Sequence, residues 1–416
     1  MGRAGDRAVA MRILAIGSMY PPQHAGGYEL LWESAVAALR ARGHQVRVLT
    51  SDLRLNDRPD TDAEVFRELR RYWDGDAAPE LSPLARLRLE RENGTIVRRH
   101  LTAFQPDLAS YWGVGGISMS ILEHVRRAGV PGVGYVADHW LTADPPMDQW
   151  LRAWSNRPVL AAILTRLTGL PAAGRPGDAA TWYFISDALR SEAVLGNWPL
   201  PRTGLIHAGI AIQTFALRPA RSEWSWKLLY VGRVDPVKGV DTAIRALVEL
   251  PEDATLTICG PAPSPAYLAQ LQQLTRELGL EHRVLMRSAE GREQLWQVYA
   301  DADALLFPVR WREPWGLVPL EAMAVGVPVL ATGTGGSAEY LRDGHNSRLF
   351  PPDDPHALAE ALQELASNLA LRDRLVQEGR RTAEAFTEDA YVNGLIQAHE
   401  EAVAGEGDLP RESIHP

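Results

Sequence analysis

The sequence predicts two α/β domains, each a doubly wound parallel sheet with helices on both faces. Three observations predict it. Short apolar runs alternate with helix-period segments, the pattern of βαβ units. The alternation occurs twice, on either side of an aperiodic stretch containing Pro, Arg and Ser at residues 213–225. The chain has 416 residues, enough for two or three domains with cores of their own.

In the first half, strands are expected at 12–16, 45–50, 108–112, 132–136 and 182–185, with helices at 29–42 and 117–128. Gly43 stands where a helix C-cap belongs. Residues 52–106 are long, charged and helix-rich, and read as an insertion on one rim of the first domain. Residues 159–164, VLAAIL, form an apolar helix candidate. Packing in a core or between domains is the expected role, with peripheral membrane contact as the alternative.

In the second half, strands are expected at 227–231, 255–259, 283–286, 304–307 and 329–331. Helices are expected at 241–250, 265–278, 292–300, 317–324 and 355–368. The reading gives domains at 1–212 and 213–387, followed by a helical segment at 388–416. Ligands of doubly wound sheets bind in the crevice beyond the C-terminal ends of the strands.

Composition narrows the function classes. A formal net charge of −9 argues against a nucleic-acid or anionic-membrane footprint along the whole chain. Cys259 is the single cysteine, so neither an internal disulfide nor a cysteine-based zinc site can form. There is no run of 18 apolar residues, hence no expected spanning helix. Residues 1–10 lack the apolar core of a signal peptide, and Met11 reads as the start of the fold. A cytoplasmic location is the expectation.

The residues that carry chemistry follow predicted strands. Glu313 and Glu321 bracket a Pro314-Trp315-Gly316 break, with a helix beginning near Leu317 and Val318. Such a helix terminus points unpaired N–H groups at an anion. One carboxylate in the loop and one on the helix could both touch a ligand with an anionic middle and hydroxyl-rich ends. A nucleotide-sugar has that form. Arg233 and Lys238 follow the strand 227–231 in a loop shaped by Gly232, Pro236 and Gly239. Arg offers a fixed fork to phosphate oxygens, and Lys a mobile point charge. Gly26 and Gly27 precede a helix beginning near Tyr28, and glycine lets backbone approach a phosphate closely.

The segment from Arg312 to Ala324 resembles the donor-site signature of the family-four retaining glycosyltransferases, which have the GT-B architecture. Residues 232–239, GRVDPVKG, are similar to that family's phosphate-binding loop. Residues 21–27, PPQHAGG, resemble its N-terminal glycine loop. Asp138-His139-Trp140 matches its mid-chain histidine, and residues 333–339, GTGGSAE, resemble its second glycine turn. The motifs stand in the family's order over roughly residues 11–345, and the resemblance implies that the helical segment 388–416 packs back on the first domain.

The resemblance implies a metal-independent transferase moving a sugar from a nucleoside diphosphate sugar, UDP by default, to a hydroxyl acceptor. No resident cofactor is implied. It gives His139, Arg233, Lys238 and Glu313 catalytic roles. It places the donor on Gly26, Gly27, Pro314, Trp315, Gly316, Leu317, Val318 and Glu321, with Gly260 and Ser288 near the base. Asp138, Trp140 and Tyr28 become acceptor-side candidates. Glu339 would bind sugar or brace its loop.

Other readings compete. Asp60-Thr61-Asp62 and Asp301-Ala302-Asp303 have the DxD form of metal-dependent transferases, but read as solvated or capping carboxylates. Residues 113–118, GVGGIS, follow a strand like a dinucleotide fingerprint, but the third position is Ser118. An epimerase or phosphorylase on the same architecture, and a non-catalytic nucleotide-sugar-binding module, are the alternatives.

Overall fold

The computed structural model describes residues 10–23, 26–54, 59–72, 79–141, 148–154, 156–172, 176–196, 200–219, 223–287 and 292–405. The chain divides into two compact units. The first runs to Ile206 and resumes at Val392; the second is His207–Tyr391.

In the first unit the chain runs β1 (Arg12–Gly17), α1 (Gly27–Ala41), β2 (Gln45–Ser51), β3 (Val65–Leu69), α2 (Pro83–Phe104), β4 (Leu108–Trp112) and α3 (Ser120–Arg127). It continues through β5 (Gly132–Val136), α4 (Gln149–Trp154), α5 (Pro158–Thr168), β6 (Thr181–Phe184), α6 (Asp187–Leu195) and β7 (Thr203–Leu205). The strands lie in the order β3-β2-β1-β4-β5-β6-β7, every pairing parallel. Strands β4 and β5 are buried along their whole length, as expected of a sheet covered on both faces.

The second unit contains β8 (Lys227–Val231), α7 (Val240–Ala246), β9 (Thr255–Cys259), α8 (Pro265–Glu277), β10 (Val284–Arg287) and α9 (Arg292–Ala300). It goes on with β11 (Ala304–Phe307), α10 (Leu317–Val325), β12 (Val329–Ala331), β13 (Arg348–Leu349), α11 (Pro355–Ser367) and α12 (Leu369–Ala385). Its sheet order is β10-β9-β8-β11-β12-β13, also parallel. A last helix, α13 (Glu388–Ala404), starts in the second unit and belongs to the first from Val392. There, the buried His399 ring lies 3.1 Å from Ser110 Oγ on β4, and Arg42 donates to Asn393 at 2.7 Å. In both sheets the order reverses beside the first strand, where a crevice opens at the strand ends.

Two expectations are corrected. Residues 52–106 are not a rim insertion. They supply the edge strand β3, paired to β2, and α2, which packs on α3. Strand and helix are tied by buried Asn93, which accepts from Arg70 N at 2.7 Å and donates to Arg70 O at 2.9 Å. The apolar α5 joins a core on one side only, where Ala161 lies in a buried cluster and Leu164 packs against it. Ala161 is buried, but Val159, Leu160, Ile163 and Leu167 are exposed. Among the described residues no helix is long and apolar enough to cross a membrane.

Candidate active site

In the second unit, β8 and β11 are adjacent parallel strands, so the loops that follow them lie at the same end of the sheet. The β8 loop turns at Gly232 (φ 140°) and Gly239 (φ 68°), conformations L side chains rarely adopt. Asp235 accepts from Val237 N at 3.2 Å and opens a short 3₁₀ turn at Pro236–Lys238. Arg310 clamps this loop from the β11 side. Its N–H donates to Val237 O at 2.9 Å, and its guanidinium pairs with Asp241 at 2.6 Å. The sequence reading missed Arg310, although it directly follows an apolar strand.

Lys238 Nζ lies 2.6 Å from Glu313 Oε2, which also accepts from Trp311 Nε1 at 2.7 Å. Lys238 sits 5.1 Å from the centre of the Trp311 ring, in cation–π range. Two of the four residues expected to be catalytic, Lys238 and Glu313, are therefore one nearly buried ion pair. Arg233 is less satisfied. Its Nε is buried and makes no hydrogen bond among the described residues, and Asp235 Oδ2 is 3.6 Å away. A buried donor without a partner is uncommon, and a phosphate oxygen would satisfy it.

Glu313 is held from behind by the second glycine turn. Gly336 N donates to Glu313 O at 2.7 Å. A Cβ on Gly335 (φ 62°) would lie 2.4 Å from that same oxygen. Gly316 (φ 89°) precedes α10, and no side chain caps that helix end. The first-turn amides of Leu317 and Val318 thus face whatever occupies the terminus. Glu321 accepts from Tyr299 OH at 2.7 Å, a partner not foreseen. Glu339 lies 3.5 Å from His207.

Three predicted donor residues are otherwise employed, and a fourth is not described. Trp315 does not offer its ring to a ligand. The indole is buried, donates to Ala208 O at 3.0 Å, and stacks on His207 at 4.6 Å. Its amphipathic ring is worth more in that aromatic cluster than in an open pocket. Pro314 beside it is buried as well. Gly260 (φ 152°) has a structural reason to be glycine, because a Cβ would fall 2.0 Å from Gly232 O. Ser288 lies outside the described residues.

In the first unit, Gly26 is extended (φ −166°), and its N–H donates to Glu29 Oε2 at 3.0 Å. Gly27 opens α1. A Cβ there would meet nothing within 4 Å, and one on Gly26 would meet only Glu29 Oε2 at 4.0 Å. The fold itself does not demand these glycines, which leaves close approach of a ligand as a reason for them. This contrast is testable. Gly239→Ala puts a Cβ 2.0 Å from Pro308 O at a positive φ, and is expected to cost at least ~3 kcal/mol. Gly27→Ala is expected to shift stability by less than ~1 kcal/mol in either direction, yet to weaken diphosphate binding. Equal melting temperatures for the two variants would refute the contrast.

Tyr28 OH accepts from Gly113 N at 2.8 Å and donates to Tyr135 O. Its hydroxyl is thus occupied in joining two strand-end loops, and only its ring borders open space. Asp138 accepts from Trp140 N at 3.0 Å. Burial lifts its carboxyl to about 6, against the pull of that bond. His139 lies 3.5 Å from Glu192 on α6. Asp138, Trp140, Tyr28 and the loop 113–119 line a cavity of about 210 Å³ within this unit. The glycines read as a weak dinucleotide fingerprint are the wall of that cavity.

The DxD carboxylates are tied up locally. Asp60 pairs with Arg54 and Arg67, and Asp62 with Arg40. Asp303 accepts from the amides of Ser225 and Lys227. Among the described residues no three His, Cys, Asp or Glu converge as a metal site.

The chain matches two family models. Residues 218–382 match the group 1 glycosyl transferases, and residues 26–175 match a glycosyl transferase 4-like domain. It is 35% identical over 195 residues to a D-inositol 3-phosphate glycosyltransferase of Salinispora arenicola, covering 44% of this chain and 43% of that one. It is 36% identical over 172 residues to that of Streptomyces coelicolor, covering 39% and 37%. The chain thus spans less than half the length of the curated relatives it matches. Among solved structures, Anabaena Alr3699/HepE in complex with UDP and glucose aligns with a TM-score of 0.67 at 20% identity, over 96% of this chain and 100% of that one. Sucrose-phosphate synthase from Thermosynechococcus elongatus aligns with a TM-score of 0.70 at 19% identity, over 95% and 100%.

Proposed function

From its place among the family-four-like glycosyltransferases of GT-B architecture, to which the chain belongs, we propose that it transfers a hexosyl group from a nucleoside diphosphate sugar to a hydroxyl acceptor. The observation that carries this reading is the unsatisfied buried Nε of Arg233, in one strand-end loop with Lys238. Two cations and the uncapped terminus of α10 suit the charge that develops on a departing diphosphate. UDP is the proposed nucleotide, supported by the fold shared with a protein solved with UDP and glucose.

Retention of anomeric configuration fits a front-face displacement. The bond from the sugar C1 to the phosphate oxygen breaks, and a bond from C1 to the acceptor oxygen forms on the same face. The departing phosphate oxygen takes the acceptor proton, so no protein base is required. In this reading Arg233 and Lys238 stabilise the ion pair, Glu313 and Glu321 bind hydroxyls of the sugar and ribose, and no metal takes part. His139 and Asp138 stand on the acceptor side. The proposed location is the cytoplasm.

A thermal-shift panel tests the donor site. UDP at 100 times its dissociation constant is expected to stabilise by about 2.7 kcal/mol, equally with EDTA present, and to lose this in Glu321→Ala. GDP, ADP and dTDP are expected to do less. A UDP shift that EDTA abolishes would overturn metal independence, and no shift with any diphosphate would overturn the donor site. An inverted product anomer by NMR would overturn retention.

A further inference from the structure

The cavity in the first unit opens at the C-terminal ends of β1, β4 and β5. Its walls are mainly apolar. The indoles of Trp32, Trp112 and Trp140 border it, with the side chains of Val114, Ile117 and Met119. All of these except Trp140 are buried in the core of the unit.

The aromatic walls are set by the fold. Trp32 and Trp112 stack with ring centres 5.9 Å apart and planes 9° from parallel. Trp112 Nε1 donates to Ser110 Oγ at 2.9 Å, and Trp140 meets the Trp182 ring edge-on at 5.8 Å. A ligand that enters need not order these rings, which lowers the cost of binding.

The polar groups around the cavity are engaged by the protein itself. Tyr28 OH accepts from Gly113 N and donates to Tyr135 O, and Tyr72 OH donates to Glu90. Ser118 Oγ donates to Ser120 Oγ at 3.1 Å and accepts from Ser120 N at 3.2 Å. Asp148 accepts from the amides of Met119, Trp150 and Leu151. Glu29 accepts from Gly26 N, and Asp138 accepts from Trp140 N and lies in the field of His139. A polyol would bring a hydroxyl on nearly every carbon. Each hydroxyl removed from water without a partner weakens binding by about tenfold. An aromatic ring asks for no such partner.

Size points the same way. An apolar cavity of about 150 Å³ takes a benzene ring. The volume here is about 210 Å³, room for one ring with a small substituent and too little for a drug-sized ligand. Indole faces and edges offer that ring stacked and edge-on contacts.

Resting on the transferase reading above, we infer that the acceptor is an aromatic alcohol of one ring, seated among these indoles. Its hydroxyl oxygen forms the new bond to the sugar C1, and its proton passes to the departing phosphate oxygen. The curated relatives are named for a phosphorylated inositol, whereas the walls here suit a ring with far fewer hydroxyls.

Three probes with one six-membered ring each provide the test: 4-methylphenol, myo-inositol and methyl glucoside. Each is titrated by calorimetry at pH 7 into the full chain without donor. The expected dissociation constant of 4-methylphenol is at least about 100-fold below those of the other two, with a negative heat-capacity change. Val114→Phe fills the cavity and is expected to weaken 4-methylphenol by at least about tenfold. Val114→Leu adds one methylene and is measured beside it, in case the larger side chain prevents folding; a weaker loss in the same direction is expected. No saturable binding of 4-methylphenol, a polyol binding within tenfold of it, or unchanged binding in the variants that fold would each overturn the proposal. The UDP shift measured on the same wild-type samples reports on the donor reading separately. Its absence sinks the transferase reading, whereas a normal shift with the wrong ring preference sinks only the acceptor class.

Discussion

Replacing Lys238 by alanine is expected to lower transfer by about 10²–10³-fold, the usual effect of removing one preorganised donor from a developing negative charge. It is expected to destabilise the second unit as well. Lys238 and Glu313 are nearly buried and 2.6 Å apart, and breaking such a pair from one side costs about 3–5 kcal/mol because the remaining charge is stranded. The two effects separate in the double variant Lys238→Ala/Glu313→Gln. The neutral amide can still accept from Trp311 Nε1, so the melting temperature recovers toward wild type, while transfer stays low. In Glu313→Gln alone, Lys238 loses its partner inside the fold. Diphosphate binding is then expected to be retained or tightened, while turnover falls because the neutral amide accepts from the sugar more weakly than the carboxylate. Calorimetry and steady-state kinetics on the three variants check this. Recovery of activity together with stability in the double variant would make the pair purely structural.

Much of the fold was legible because parallel strands covered on both faces leave unbroken apolar runs. β1, β4, β8 and β11 were placed within a residue or two for that reason. The edges were not legible. β3 reads VFREL, half-buried and interrupted by Arg67 and Glu68, so it carries neither a continuous run nor a clean alternation. β13 has two residues, too few for any period. α2 was read only as part of a helix-rich stretch, without bounds, because its buried face is itself polar: Glu90, Asn93 and His100 are buried, and Gly94 admits the His124 ring.

The site shows the same division. The motif residues stand on the elements expected for them: Arg233 and Lys238 after β8, Glu313 after β11, and Glu321 on α10. Their partners were invisible, because Lys238 and Glu313 are 75 positions apart and Tyr299 lies on a different helix from Glu321. Trp315 was assigned to the donor by resemblance alone, and nothing local in the sequence marks its indole as buried. His207, on which the indole stacks, is more than a hundred residues away in sequence.

Glu90→Gln is expected to flatten the stability of the first unit between pH 6.5 and 8. Glu90 is buried on α2 between Tyr72 OH and Ser120 Oγ, both of which donate to it. Burial, then the charge of Asp148, push its carboxyl up to about 8. The folded state therefore holds a proton that the unfolded chain has released. Wild-type stability is full below the unfolded value near 4.5 and is lost as pH rises to about 8. The buried histidines work in the other direction. Burial pushes His124 down to about 4 and His399 down to about 3. Each is neutral in the fold and protonated when unfolded, so they cost stability only as pH falls below about 6.5. The interval from 6.5 to 8 thus isolates Glu90 and its neighbour Asp148. Over that interval the wild type is expected to lose about 2 kcal/mol, 1.36 kcal/mol for each pH unit. The glutamine variant has no proton to lose, and its amide can donate to one hydroxyl while accepting from the other. Urea unfolding of the first unit at pH 6.5, 7, 7.5 and 8 measures the difference. Parallel curves for wild type and variant would mean that Glu90 is ionised in the fold, and that a cation from outside the described residues balances it.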